Sequence, residues 1–203
     1  MSPDHSNLFK LFDKYKSETW YLPILNHVTT RYGEIESNLQ GTFQMVTPDT
    51  SNRYTHSPVF SRIIKDIAST FGSALKEFVQ SSGESYSDDI CGYLKLIREY
   101  VPDIENRSAL FRFNEKTLLP FKRSNKDDPI PAWWNASNKL KHKEITYYRE
   151  GNLENALNGV AALAIIGKII SHSVFVSTNL FANLGIAYAM DAIDVSKDRL
   201  LFP

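Results

Sequence analysis

The chain has 203 residues, the usual length of one domain, and its 42% hydrophobic and 23% charged residues are ordinary for a globular protein with a buried core. Lys and Arg together number 23, as do Asp and Glu, so the formal net charge is zero. This balance excludes a protein that coats nucleic acid by bulk charge, although it leaves a local basic patch open.

The chain has a single cysteine, Cys91, so it forms no internal disulfide and suits a reducing compartment. The first residues lack the basic and apolar pattern of a secretion signal, and we therefore expect a cytoplasmic protein. Because Cys91 lies among apolar residues of a predicted helix, we predict a buried, unreactive thiol.

Residues 1–41 predict a helical hairpin. Ser6 or Asn7 can cap its first helix, and its second begins near Pro23 and ends near Gly41. The second helix has apolar residues at helical spacing, which predicts one buried stripe. The stripe consists of Ile24, Val28, Tyr32, Ile35 and Leu39.

Residues 57–102 predict a pair of helices after a loop at 42–56. The first begins at Ser57 and Pro58, a capping hydroxyl followed by a proline that suits the first helical turn. It carries the longest regular apolar face in the chain. The second begins at Ser87-Asp-Asp, where acidic groups suit the positive end of a helix.

Residues 103–128 differ in character from the segments before them. Short apolar runs at 109–113 and 117–121 flank a small polar turn. This arrangement predicts a β-hairpin or an extended insertion.

Residues 129–176 predict a core pair of helices, one from Pro131 to about residue 149 and one over 153–175. The second is apolar almost all round, as in the central helix of a bundle. Its stretch 157–176 matches the length of a bilayer span, but Lys168 would be costly in lipid. We therefore predict a buried helix and no membrane.

With 177–203 as a C-terminal tail, these elements predict a single domain over 1–203. Its fold class is all-α, a bundle of about six to seven helices with a small β-hairpin insertion. The sequence has no phosphate-binding loop, zinc-type cysteine spacing or nucleophile elbow, so we expect no cofactor and no metal.

The helix after Pro131 concentrates the residues that carry chemistry. Trp134, Asn138 and His142 are spaced i, i+4, i+8 and so share one stripe with a ring, an amide and an imidazole. We predict that Trp133 and Trp134 anchor the core. For Asn138 and His142 two interpretations stay open, because they either bridge neighbouring helices or act on a substrate.

The run Ala132-Trp-Trp-Asn-Ala-Ser-Asn-Lys-Leu-Lys-His142, followed by Ala156-Leu-Asn-Gly-Val-Ala-Ala-Leu163, resembles HEPN-type helical domains of bacterial proteins. The resemblance implies a bundle of four or more helices that usually forms a homodimer. Many such domains are metal-independent ribonucleases in toxin, phage-defence or RNA-processing systems, and others are inactive binding partners. It therefore implies a protein that binds or cleaves RNA in a bacterial defence or toxin–antitoxin setting.

The motif of the active family members is an arginine, then a polar residue, then a histidine a few residues on. Asn138 and His142 match the last two, and Ser137 stands at the arginine position. An arginine there would stabilise the charge of the scissile phosphate, which Ser137 cannot do. Lys139 or Lys141 offers a cation without the guanidinium fork. We therefore expect a degenerate active site, with His142 as the group that would transfer protons.

Lysines at positions 139, 141 and 143 are candidates for phosphate binding. They belong to the densest basic cluster of the chain, which consists of Lys122, Arg123, Lys126, Lys139, Lys141, Lys143 and Arg149. The alternative is an ordinary solvated face.

Two further functions stay open. The first is a non-catalytic protein–protein interaction module that uses the helix over 153–175 and the hairpin as partner surfaces. The second is a small-molecule sensor with an aromatic pocket. The rings around that pocket would be those of Trp133, Trp134, Tyr147 and Tyr148.

Overall fold

The structure is a computed structural model that describes residues 22–81, 87–101, 104–111, 113–114, 116–123, 130–178 and 193–194. The predicted first helix, near Ser6 and Asn7, lies outside the described residues, as does most of the predicted tail over 177–203.

The described part of the chain is mostly helical and carries one small antiparallel sheet. Its helices are α1 (Leu22–Thr42), α2 (Pro58–Ser81), α3 (Ile90–Tyr100), α4 (Ala132–Tyr147) and α5 (Leu153–Thr178). Its strands are β1 (Ala109–Phe111), β2 (Lys116–Leu118) and β3 (Ile193–Asp194), and single 3-10 turns lie at Ile104–Asn106 and Tyr148–Glu150.

Helix α2 packs against α1, α3, α4 and α5, which makes it the centre of the bundle. Its start follows from the sequence, because the Ser57 hydroxyl accepts a hydrogen bond of 3.1 Å from the Phe60 backbone N–H. Its apolar face is buried along nearly its whole length. The buried residues are Phe60, Ile63, Ile64, Ile67, Ala68, Phe71, Ala74, Leu75, Phe78 and Val79.

Helix α1 lies against α2 and α5 through the apolar stripe that its sequence predicts. Ile24, Val28, Tyr32, Ile35 and Leu39 are all buried. The helix runs one residue past Gly41 and ends at Thr42, whose hydroxyl donates to the Leu39 carbonyl at 2.6 Å.

Helix α5 contacts α1, α2 and α4, and 78% of the membrane-length stretch Leu153–Ile170 is buried inside the protein. The stretch has a mean hydropathy of 1.4, which suffices for a membrane span by composition, but its apolar residues here pack on neighbouring helices. The interaction-module hypothesis expected this helix to present a partner surface. That expectation is wrong over Leu153–Ile170, because the bundle already covers it.

The predicted β-hairpin is present as β1 and β2, which pair antiparallel with Ala109 opposite Leu118 and Phe111 opposite Lys116. Strand β3 pairs antiparallel with the other edge of β1, so the sheet order is β2-β1-β3. The sequence predicted only a C-terminal tail in the region of β3, because two residues carry too little alternation to indicate a strand.

Cys91 is exposed, so the prediction of a buried thiol is wrong. Helix α3 begins after its cap, Asp89, whose carboxylate accepts a hydrogen bond from the Gly92 N–H at 2.8 Å. Its buried residues are Tyr93, Leu94, Leu96 and Ile97. Cys91 lies on the opposite, exposed face of the helix, together with Lys95 four residues further on. The prediction was wrong because it used the apolar neighbours of Cys91 in the chain and not its position around the helix.

Helix α4 does not run unbroken to residue 149 as the sequence predicted. Lys143 has φ −146° and ψ 50°, which breaks the helix there, and the 3-10 turn Tyr148–Glu150 follows. The last buried residue of α4 is Leu140. Beyond it the segment has no apolar face to hold it on the bundle, and short helices without such packing are marginal in water.

Candidate functional site

The first half of α4 is built into the core by its two tryptophans. The helix begins at Ala132, one residue later than predicted, and Pro131 is its N-cap. The Pro131 carbonyl accepts hydrogen bonds from the Trp134 and Asn135 N–H groups, both at 3.1 Å. Trp133 is 1% exposed, and its indole N–H donates to the Pro120 carbonyl at 2.9 Å. These contacts fix the position of the rest of the helix.

Trp134 explains the glycine in α2. A Cβ on Gly72 would lie 3.1 Å from the Trp134 Cη2 atom, closer than an ordinary contact. The glycine therefore permits the close crossing of α2 and α4, and it costs α2 about 1 kcal/mol in helix propensity.

The stripe of Trp134, Asn138 and His142 passes from the core to the solvent. Trp134 is buried, Asn138 is partly exposed, and His142 is exposed just before the break at Lys143. Within the described part of the chain, His142 makes no hydrogen bond to a neighbouring helix. The bridging interpretation of His142 is therefore wrong, and its imidazole is open to a partner molecule.

Ser137, which the resemblance aligned with the arginine of the HEPN motif, has 0% exposure. Its hydroxyl oxygen finds no hydrogen-bond partner among the described residues. An unpaired buried hydroxyl is unfavourable by about 1–3 kcal/mol. Ser137 thus provides neither a charge nor an accessible donor to a phosphate at the surface of α4.

The three candidate phosphate-binding lysines have different surroundings. Lys139 is neutralised by the Glu150 carboxylate at 2.5 Å, and its ammonium lies 5.5 Å from the Tyr147 ring centroid. Lys141 lies along the Trp134 indole, 5.7 Å from the ring centroid, and burial lowers the pKa of its ammonium. Lys143 is exposed at the helix break.

Every residue from Lys141 to Arg149 is exposed, and we call this stretch the α4 surface. Its carboxylate, Glu144, pairs with Lys65 of α2 at 3.0 Å. Lys141, Lys143 and Arg149 have no carboxylate partner in the part of the chain that the structure describes. The α4 surface therefore holds three cations without a carboxylate partner in the same exposed stretch as His142. No protein-family model, curated protein or solved structure matches this chain. The charged and aromatic side chains of the α4 surface are therefore the basis for a functional proposal.

Sequence reasoning missed the residues that lie beside the α4 surface. The His56 ring packs edge-on against the Tyr148 ring, with centroids 4.9 Å apart and an interplanar angle of 70°. The Arg53 guanidinium carbon lies 4.4 Å from the centroid of the Tyr54 ring. No spacing in the sequence indicates the contact between His56 and Tyr148, because the two residues are 92 positions apart.

The aromatic pocket of the sensor hypothesis is not formed. Trp133 and Trp134 are buried at the start of α4, whereas Tyr147 and Tyr148 are exposed at its end. Because the four rings do not converge, this part of the sensor prediction is wrong.

A cleft of about 360 Å³ lies elsewhere, between β2, the start of α4 and the start of α5. Two ion pairs border it, Lys116 with Glu154 and Arg123 with Glu105, so most of its charges are already compensated. Across the described ranges, no three His, Cys, Asp or Glu side chains come together as metal ligands.

Proposed function

We propose that this chain is an HEPN-like protein that binds RNA through the α4 surface without cleaving it. The observation that carries the proposal is a set of exposed cations, Lys141, Lys143 and Arg149, in the same exposed stretch as His142, none with a carboxylate partner in the described chain. Phosphates of a nucleic acid neutralise such cations and release counterions, which is a favourable, salt-dependent term. A bacterial defence or toxin–antitoxin role and a homodimeric state belong to the same proposal.

The lack of cleavage follows from the surroundings of Ser137. A ribonuclease needs a proton-transferring group and a fixed positive charge on the phosphate. His142 can supply the first, but the arginine position of the motif is a buried serine. One substitute, Lys139, is paired with Glu150, and the other, Lys141, lacks the two-pronged geometry of a guanidinium.

Replacing Lys143 with glutamate tests the binding proposal. We expect Lys143→Glu to weaken binding of a fluorescein-labelled oligouridylate by about tenfold at low salt, because a phosphate contact becomes a repulsion. The slope of log affinity against log salt should fall by about 0.7, as for one lost contact on a single strand. Fluorescence anisotropy over a salt series measures both quantities.

Lys95→Glu is the matched control. Lys95 is an exposed lysine of α3, and its replacement changes the net charge by the same amount. Equal losses in both variants would mean that only net charge matters and would overturn the assignment to the α4 surface. The labelled RNA should stay intact in the same samples, and cleavage by the wild type that His142→Ala abolishes would overturn the non-catalytic proposal.

Exposed apolar groups favour protein–protein interaction as a second candidate function. Ile145 is 94% exposed, and Tyr147 and Tyr148 lie beside it on the α4 surface. Such a grouping is typical of an interface, whereas an isolated exposed side chain is ordinary.

Under this second candidate we expect two copies to pair through Ile145. Sedimentation equilibrium should then give a dimer for the wild type and a monomer for Ile145→Asp, because the pairing would bury an unpaired carboxylate. Met45→Asp is the matched control, since Met45 is also an exposed apolar residue, at 78%, and lies on another segment. A monomeric wild type at high concentration, or a dimer that Ile145→Asp leaves intact, would remove this candidate.

A further inference from the structure

We propose that Tyr54, His56 and Tyr148, with Arg53 and Arg149 beside them, form a stacking platform for the bases of single-stranded RNA. We call these five residues the aromatic platform. The inference rests on the proposed RNA-binding function and adds the class of RNA, a strand whose bases are unpaired and free to stack.

The aromatic platform is held on a fixed backbone. The loop before α2 and the turn before α5 are joined by three main-chain hydrogen bonds at an isolated bridge between His56 and Asn152. The Ser57 N–H donates to the Gly151 carbonyl at 3.0 Å, and the Leu153 N–H donates to the Thr55 carbonyl at 3.1 Å. Tyr54 and His56 lie on the paired loop, and Tyr148 lies in the 3-10 turn next to the other paired segment, so less ordering entropy is lost when a ligand binds.

The rings of the aromatic platform face solvent although they are large and apolar. Tyr54 is 63% exposed, Tyr148 is 45% exposed, and His56 is also exposed. The edge-on contact of His56 with Tyr148 supports the second ring from one side. Exposed aromatic faces of this kind bind successive bases regardless of sequence, since every base has a π-face.

Each arginine of the aromatic platform lies beside one of its tyrosine rings. The Arg53 guanidinium carbon is 4.4 Å from the Tyr54 ring centroid, and that of Arg149 is 5.7 Å from the Tyr148 ring centroid. Neither arginine has a carboxylate partner within the described ranges. The Arg149 Nε–H donates a hydrogen bond to the Tyr148 hydroxyl at 3.2 Å and leaves the other guanidinium N–H groups to a ligand. A ring beside a guanidinium suits a nucleotide, because the ring can take the base and the cation can take the phosphate.

Charge favours a nucleic acid over a protein as the occupant. The aromatic platform continues directly into the α4 surface through Tyr148 and Arg149, and the uncompensated charges on both are positive. A protein partner would also use tyrosine and arginine. It would, however, need a complementary run of acidic groups, whereas every RNA strand carries negative charge at each phosphate.

The test compares RNA with and without bases. Wild-type protein should bind a labelled oligouridylate about tenfold more tightly than an abasic RNA of the same length, and tenfold corresponds to about 1.4 kcal/mol. The double variant Tyr54→Ala/Tyr148→Ala should bind both RNAs with the abasic affinity.

Each outcome separates this inference from the proposed function. Equal wild-type binding of the oligouridylate and the abasic RNA overturns the aromatic platform and leaves phosphate binding by the α4 surface intact. If the wild-type protein binds neither RNA, both the aromatic platform and RNA binding by the α4 surface are overturned. If the double variant loses its helical circular dichroism and so does not fold, the single variant Tyr54→Ala replaces it in the test. The Tyr54 ring is 63% exposed and therefore contributes little to folding. This single variant must lose at least threefold on the oligouridylate and nothing on the abasic RNA, or the inference fails.

Discussion

Replacing Trp133 with alanine should lower the free energy of unfolding by about 3–5 kcal/mol, the usual cost of truncating a buried aromatic residue. The Trp133 ring meets Phe71 edge-on, with centroids 5.2 Å apart and an interplanar angle of 86°, and it meets Trp134 at 5.6 Å. Alanine would leave a cavity between α2, α4 and α5. It would also leave the Pro120 carbonyl without the indole N–H that it now accepts.

Trp133→Phe separates the two contributions. Phenylalanine keeps most of the ring packing but has no N–H, so we expect it to lose about 1–2 kcal/mol. Urea unfolding followed by circular dichroism measures both variants without depending on the fluorescence of the removed indole. A loss below about 1 kcal/mol in Trp133→Ala would contradict the core position of this ring, because total stabilities are only about 5–15 kcal/mol.

The helices of the bundle could be predicted from the sequence because each buries one continuous stripe. Ile24 to Leu39 in α1 and Phe60 to Val79 in α2 keep helical spacing, and burial follows that spacing. Cys91 shows the limit of this reasoning. Apolar neighbours in the chain suggested burial of this residue, but its position on the helix, four residues before Lys95, places it on the exposed face.

The candidate site was predictable only in part, for a related reason. Helical spacing places Trp134, Asn138 and His142 on one stripe, but it does not say where along α4 the bundle ends. The stripe is buried at Trp134 and exposed at His142 because the last core residue of the helix is Leu140. The aromatic platform lay beyond sequence reasoning altogether, since main-chain hydrogen bonds between two distant loops create it.

The second large effect concerns the position where three helices meet at Gly159. A Cβ there would lie 3.1 Å from Cδ1 and 3.2 Å from Cγ2 of Ile67, and 3.3 Å from Cε3 of Trp133. Leucine adds three further carbons to a space that cannot hold the first without a shift. We expect Gly159→Leu to lower the free energy of unfolding by about 2–3 kcal/mol through overpacking, despite the better helix propensity of leucine.

Gly33→Leu is the matched control, and its expected effect has the opposite sign. Gly33 also lies inside a helix, α1, but it is exposed and a Cβ there meets nothing within 4 Å. Leucine should therefore raise the free energy of unfolding by about 0.5–1 kcal/mol, since glycine is a poor helix former. Urea unfolding of both variants separates the contributions: if both were stabilised, α5 would not pack closely against Ile67 and Trp133. The opposed signs would mean that Gly159 permits the close approach of α2, α4 and α5, which fixes the start of α4 and so the orientation of the α4 surface that follows.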